Sequence, residues 1–88
     1  MTLDELRVQI DAIDKEMASL FEKRMVISGK IGVFKVKKGL DFYDEDREEA
    51  VKKKNREYIS DPVIREYYEG FLEDLIELSR DYQEETCG

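Results

Sequence analysis

Residues 3–38 read LDELRVQIDAIDKEMASLFEKRMVISGKIGVFKVKK, and Leu3, Leu6, Ile10, Ile13, Met17, Leu20, Arg24, Ile27, Ile31 and Phe34 recur along them at alternating intervals of three and four. That is a sustained heptad, the pattern of a helix with one apolar side, and it contains a single charged member. One helix is expected from about Leu3 to Lys38. Gly39 suits the first residue past its end, after Lys35, Lys37 and Lys38, whose charges favour the negative end of a helix dipole. Gly29 and Gly32 each weaken a helix by about 1 kcal/mol relative to Ala, and the run Ile31 to Val36 could pass for a strand. A lone strand has nothing to pair with, and the heptad continues through both glycines, so the helix is the better reading.

At 1.5 Å per residue this helix is roughly 50 Å long. A compact chain of 88 residues has a radius of gyration of only about 12 Å, so one subunit cannot cover it. A second chain packed along the apolar side, most simply as a twofold dimer, is expected. Beyond the helix, Asp41 to Asp46 form a short acidic connection in which Asp44 can cap a second helix, about Glu45 to Ile59, with a thin apolar face. Ser60-Asp61-Pro62 is a restart signal, a capping residue followed by proline at the first helical position. A third helix then runs from about Pro62 to Glu84, with Ile64, Tyr67/Tyr68, Phe71, Leu75, Leu78 and Tyr82 as its core stripe. The expected fold is all-α, a three-helix subunit forming one domain over residues 1–88.

Composition narrows the function. Charged residues make up 42% and hydrophobic ones 41%, a balance suited to long amphipathic helices. A formal charge of −7 argues against binding nucleic acid or an anionic membrane, both of which need a basic face, so any anion site must be local. No basic start precedes an apolar run and no stretch approaches about 20 apolar residues, so a cytoplasmic protein is expected. Cys87, the one cysteine, is expected to be an exposed thiol near the end of the chain. With no histidine, imidazole bases, Ser-His-Asp triads and HExxH metal sites are excluded together.

Arg24 stands where the heptad asks for Leu or Ile, and burying a guanidinium without a partner is costly, so an anion should meet it. That anion could be a Glu or Asp of another helix. Lys35, eleven residues on, returns to within about 20° of Arg24's direction, with Ser28 and Ile31 between them on the same strip. Two long cations then flank one patch. Arg7 is about 25 Å from Arg24 along the helix, too far to share a small ligand within one subunit, but within reach of a site on the other chain of an antiparallel dimer. On the third helix Ser79 and Gln83 are an i, i+4 pair that continues the side of Leu72 and Ile76, placing two neutral hydrogen-bonding groups on an apolar flank.

Taken in order, Leu6-Arg7, Ile10-Asp11-x-Ile13-Asp14, Arg24, Lys35, Tyr43-Asp44-Glu45-Asp46-Arg47-Glu48 and Ser79 with Gln83 resemble the all-helical class of chorismate mutase, over Leu3 to about Gln83. The Asp-x-Asp-Arg-Glu segment is the most diagnostic part, and Lys52 to Glu73 the least similar. The resemblance implies an intertwined homodimer with two equivalent sites. It implies that Arg24, and Arg7 from the other subunit, clamp the two carboxylates of chorismate, with Arg47 adding positive charge. Lys35 and Gln83 match the groups that contact the ether oxygen of the breaking C–O bond. Glu48 and the backbone near Asp44 match the partners of the ring hydroxyl, and Ser79 lies beside a carboxylate. Asp14 and Ser28 read as structural.

The implied reaction, chorismate to prephenate in phenylalanine and tyrosine biosynthesis, is an intramolecular [3,3] rearrangement. It needs no cofactor, metal, nucleophile or proton transfer, so a chain without histidine suffices. Catalysis then consists of orienting the enolpyruvyl arm and placing donors where negative charge grows. Two alternatives stand beside it. An isochorismate-pyruvate lyase shares the fold, the arginines and the lysine, but those lyases carry an apolar side chain where this chain has Glu48. A non-catalytic helical dimerisation module would use Arg24 to fix register, and gives no reason for Lys35, Glu48, Ser79 and Gln83 to occur together.

Overall fold

The computed structural model describes all residues, 1–88, as three helices without strands: α1 (Leu3–Lys38), α2 (Glu45–Arg56) and α3 (Pro62–Cys87). Local chemistry sets each boundary. The Thr2 hydroxyl accepts from the Glu5 N–H while the Glu5 carboxylate accepts from the Thr2 N–H, a reciprocal cap on α1. Gly39 stops that helix in a left-handed conformation, φ 67° and ψ 31°, with its N–H and that of Leu40 returning to carbonyls of the last turn. Asp44 caps α2 by accepting from the Arg47 N–H at 3.1 Å. Asp61 caps α3 by accepting from Val63 and Ile64, with Pro62 in the first turn.

Two expected ends shift. Helix α2 stops at Arg56 rather than Ile59, because the N–H groups of Glu57, Tyr58 and Ile59 close tighter i→i−3 turns. Helix α3 runs to Cys87 rather than Glu84, since its final turn still packs on α1. That contact also corrects the expectation for Cys87. Its thiol is part-buried, with Sγ donating to the Gly29 carbonyl at 3.5 Å.

α1 and α3 run in the same direction where they touch, Arg24 and Ser28 meeting Ser79 while Gly29 and Gly32 meet Tyr82, Gln83 and Cys87. The two glycines let the helices close. A methyl group on Gly32 would come within 2.8 Å of the Cys87 sulfur and 3.1 Å of the Gln83 Cγ. α2 lies antiparallel on α3 through three ion pairs spaced one turn apart along α2, Glu48–Arg80, Lys52–Glu73 and Arg56–Glu69. α1 and α2 each pack on α3 and not on one another, so a gap stays open between them with α3 as its floor.

The molecule measures 54 × 25 × 15 Å with a radius of gyration of 16.0 Å, well above the roughly 12 Å of a compact chain of this length. Its long axis is α1. Leu3, Leu6, Ile10, Ile13, Met17 and Leu20 are 48–63% exposed, so the N-terminal six of the ten stripe residues are left about half uncovered by their own chain. The buried stripe of α3 is Leu72, Ile76 and Gln83, not the expected one, of which Ile64, Tyr67, Phe71 and Leu78 are exposed. The reason is rotational: α1 meets the flank that carries Ser79 and Gln83. No helix is long and apolar enough to cross a membrane.

Candidate active site

The gap between α1 and α2 is a cleft of about 310 Å³, at the small end of pockets that take small molecules. α1 supplies Arg24, Ser28, Ile31 and Lys35 at intervals of four, three and four, with Ile27 beside Ser28, so they form one wall. The connection supplies Phe42 and Asp44; the first two turns of α2 supply Arg47, Glu48 and Val51; α3 supplies Ile76, Ser79, Arg80 and Gln83. Seven of the eight site residues expected from sequence therefore line one cleft. The eighth, Arg7, lies on the exposed N-terminal half of α1, and this single chain does not bring it to the cleft.

Four cations face two carboxylates there. Arg24 is half-buried, and its Nη1 donates to the Ser79 hydroxyl, which is neutral. It forms no ion pair with any carboxylate of the chain, so the expected alternative of a Glu or Asp partner does not hold. Desolvation lowers its pKa below the ordinary arginine value, with Tyr68 opposing and Arg47 reinforcing that shift. A guanidinium titrates so high that it remains charged, and its charge is compensated by no neighbour. Lys35 and Arg47 are likewise without carboxylate partners. The Lys35 Nζ donates to the Phe42 carbonyl at 2.9 Å, which aims it over the connection and leaves two of its three protons.

The neutral groups are closely tied. Gln83 is buried, and its Nε2 donates to the Ser28 carbonyl at 3.0 Å and the Ser28 hydroxyl at 3.1 Å; that hydroxyl in turn donates to the Ser79 carbonyl at 3.2 Å. Ser28 thus fixes the amide, and Gln83 must release one of these bonds to donate to a ligand. The Asp44 carboxylate is engaged in capping α2, which leaves the neighbouring backbone N–H groups at the helix start for a ligand. Glu48 meets Arg80, whose Nη1 lies 3.0 and 2.8 Å from the two carboxylate oxygens.

Arg80 is the lining cation that sequence reasoning missed. The signal was present, for Arg80 follows Ile76 by four residues and precedes Gln83 by three, on the flank already marked by Ser79 and Gln83.

The family described as chorismate mutase type II matches residues 6–84, from before Arg7 to just beyond Gln83. The chain belongs to the chorismate mutase type II family. Membership fits a cleft with three uncompensated cations and an all-helical frame. A curated relative, the T-protein of Haemophilus influenzae, is 39% identical over 49 residues, which is 56% of this chain and 13% of that protein. The chain thus matches only a small part of that relative's length. No solved structure matches it.

Proposed function

We propose that this protein is a chorismate mutase that converts chorismate to prephenate and works as a homodimer, with Arg7 of each chain completing the cleft of the other. Family membership supports the reaction class. The observation that carries the reading is the cleft itself, in which Arg24, Lys35 and Arg47 have no carboxylate partners in a chain of net charge −7. Such a cleft suits a small dianion.

In this reading Arg24 grips one carboxylate with charge-assisted bonds and Arg7 of the second chain grips the other, which folds the enolpyruvyl arm over the ring. As the ether C–O bond lengthens, negative charge grows on its oxygen. The free protons of Lys35 and an N–H of Gln83 stabilise it, Gln83 giving up one bond to Ser28. Glu48 accepts from the ring hydroxyl. Loss of chorismate absorbance on adding purified protein, unaffected by a chelator, with prephenate as product, is the expected result. Unchanged chorismate would refute the proposal, and pyruvate from isochorismate would move the assignment to the lyase.

A further inference from the structure

Glu48 poses an electrostatic problem for any anion-binding cleft. It is a carboxylate on the wall, and unlike Asp44 it caps no helix. Its side chain is only 20% exposed, so water screens it weakly. A like charge several ångströms away in such surroundings is enough to weaken ligand affinity about tenfold or more.

Arg80 occupies the place that resolves this. One terminal nitrogen bridges both Glu48 oxygens, and the guanidinium carbon sits 4.7 Å from the centre of the Tyr43 ring. The stack holds the planar group between the connection and α3, so it cannot swing to solvent without losing the ring contact. We propose that Arg80 is a positioning residue that neutralises and orients Glu48, allowing a cleft built for a dianion to keep a hydrogen-bond acceptor on its wall. The proposal rests on the chorismate mutase reading, and Arg80 acts through Glu48 rather than on the ligand.

The charge accounting makes the effect conditional on Glu48. Removing Arg80 alone leaves a bare carboxylate facing the ligand; removing the charge of Glu48 as well takes the repulsion away. Four proteins test it: parent, Arg80→Met, Glu48→Gln and the double variant, each measured for kcat and KM with chorismate. Arg80→Met should raise KM about tenfold with a smaller fall in kcat, and added salt should narrow the gap. In the Glu48→Gln background the same substitution should change KM less than about twofold. Arg80→Lys, which restores the charge, should recover much of the loss. An equal effect of Arg80→Met in both backgrounds overturns the proposal and makes Arg80 a direct ligand contact or a packing residue. Should Arg80→Met not fold, Arg80→Gln, which keeps a donor but no charge, takes its place in the cycle.

If the parent leaves chorismate unchanged, the functional reading falls, and the cycle is read from the rise in melting temperature that malonate, a small dianion, produces. Loss of that rise in Arg80→Met with return in the double variant upholds the role of Arg80. Equal rises in all four proteins, or none in the parent, overturn it.

Discussion

At the scale of single residues, the buried amide of Gln83, held by two bonds to Ser28, offers the sharpest test. Its amide nitrogen faces the Ser28 carbonyl at 3.0 Å, so a glutamate there meets an oxygen with an oxygen unless it carries a proton. Burial and that carbonyl both favour the neutral form of the variant carboxyl, while Lys35 across the cleft opposes them. Gln83→Glu should therefore hold its proton above the ordinary glutamate range and lose it near neutrality. Activity should drop sharply at pH 7 and recover towards acid, because only the protonated carboxyl can donate to the ether oxygen. The parent amide does not titrate, so its own contribution stays level. Stability follows the same sign. A folded-state pKa raised above the unfolded value stabilises below the unfolded pKa and is lost as pH rises through the folded one, so the melting deficit of the variant should widen from acid to neutral pH. A constant ratio of kcat/KM between variant and parent from about pH 4.5 to 8, a span chosen around a raised glutamate pKa, would contradict this.

At the scale of elements, the two glycines of α1 separate helix propensity from packing. Alanine at either position gains about 1 kcal/mol of intrinsic helix stability. At Gly29 the added methyl meets only the Tyr82 Cε1 at 3.3 Å, a ring edge that can yield. At Gly32 it meets the Cys87 sulfur at 2.8 Å and also the Gln83 Cγ and Cβ, close to the backbone of α3. Gly29→Ala should leave the melting temperature level or raised; Gly32→Ala should lower stability by about 1–2 kcal/mol, the range of overpacking. It should also cut activity by displacing Gln83. Thermal melts and assays of the two variants check the contrast. These glycines also mark where sequence stops being legible. The heptad carried α1 through them, but periodicity reports only which side is apolar, and a close approach of two helices leaves no periodic trace beyond small residues at Ser28, Gly29 and Gly32. For the same reason periodicity does not show which face of α3 meets α1: Leu72 and Ile76 read as a flank because polar Ser79 and Gln83 continue their line, yet they form the buried stripe. Ser79 and Gln83 stand out as site candidates through the family resemblance, whereas Arg80, outside the family pattern, is legible only from its spacing to Ile76 and Gln83, and its role shows in the ion pair with Glu48.

At the scale of the whole molecule, α1 sets the problem. It accounts for the 54 Å length, and the apolar stripe from Leu3 to Leu20 lies about half-exposed along it, the kind of surface that marks a site of association. The dimer we propose covers that stripe, and folding and association should then be coupled. Sedimentation at micromolar concentration should find no folded monomer. The dimer also decides the place of Arg7, which is about 25 Å along α1 from Arg24 of its own chain and close to the far chain's cleft if the two long helices run antiparallel. Arg24→Ala removes a bidentate carboxylate clamp and should abolish nearly all activity, with Arg24→Lys restoring it only in part, since an ammonium cannot reproduce the planar fork. Arg7→Ala should be similarly impaired. A mixed dimer of the two variants holds one cleft with both substitutions and one with neither, provided that each cleft takes Arg24 from one chain and Arg7 from the other. Random exchange makes about half the dimers mixed, so activity should rise from near zero towards about a quarter of the parent value per site. Were Arg7 to serve its own chain, every cleft would carry one substitution, and mixing would restore nothing. Subunit exchange demonstrated by mass spectrometry without recovery of activity would therefore refute the shared cleft, while leaving the roles of Arg24, Lys35 and Gln83 intact.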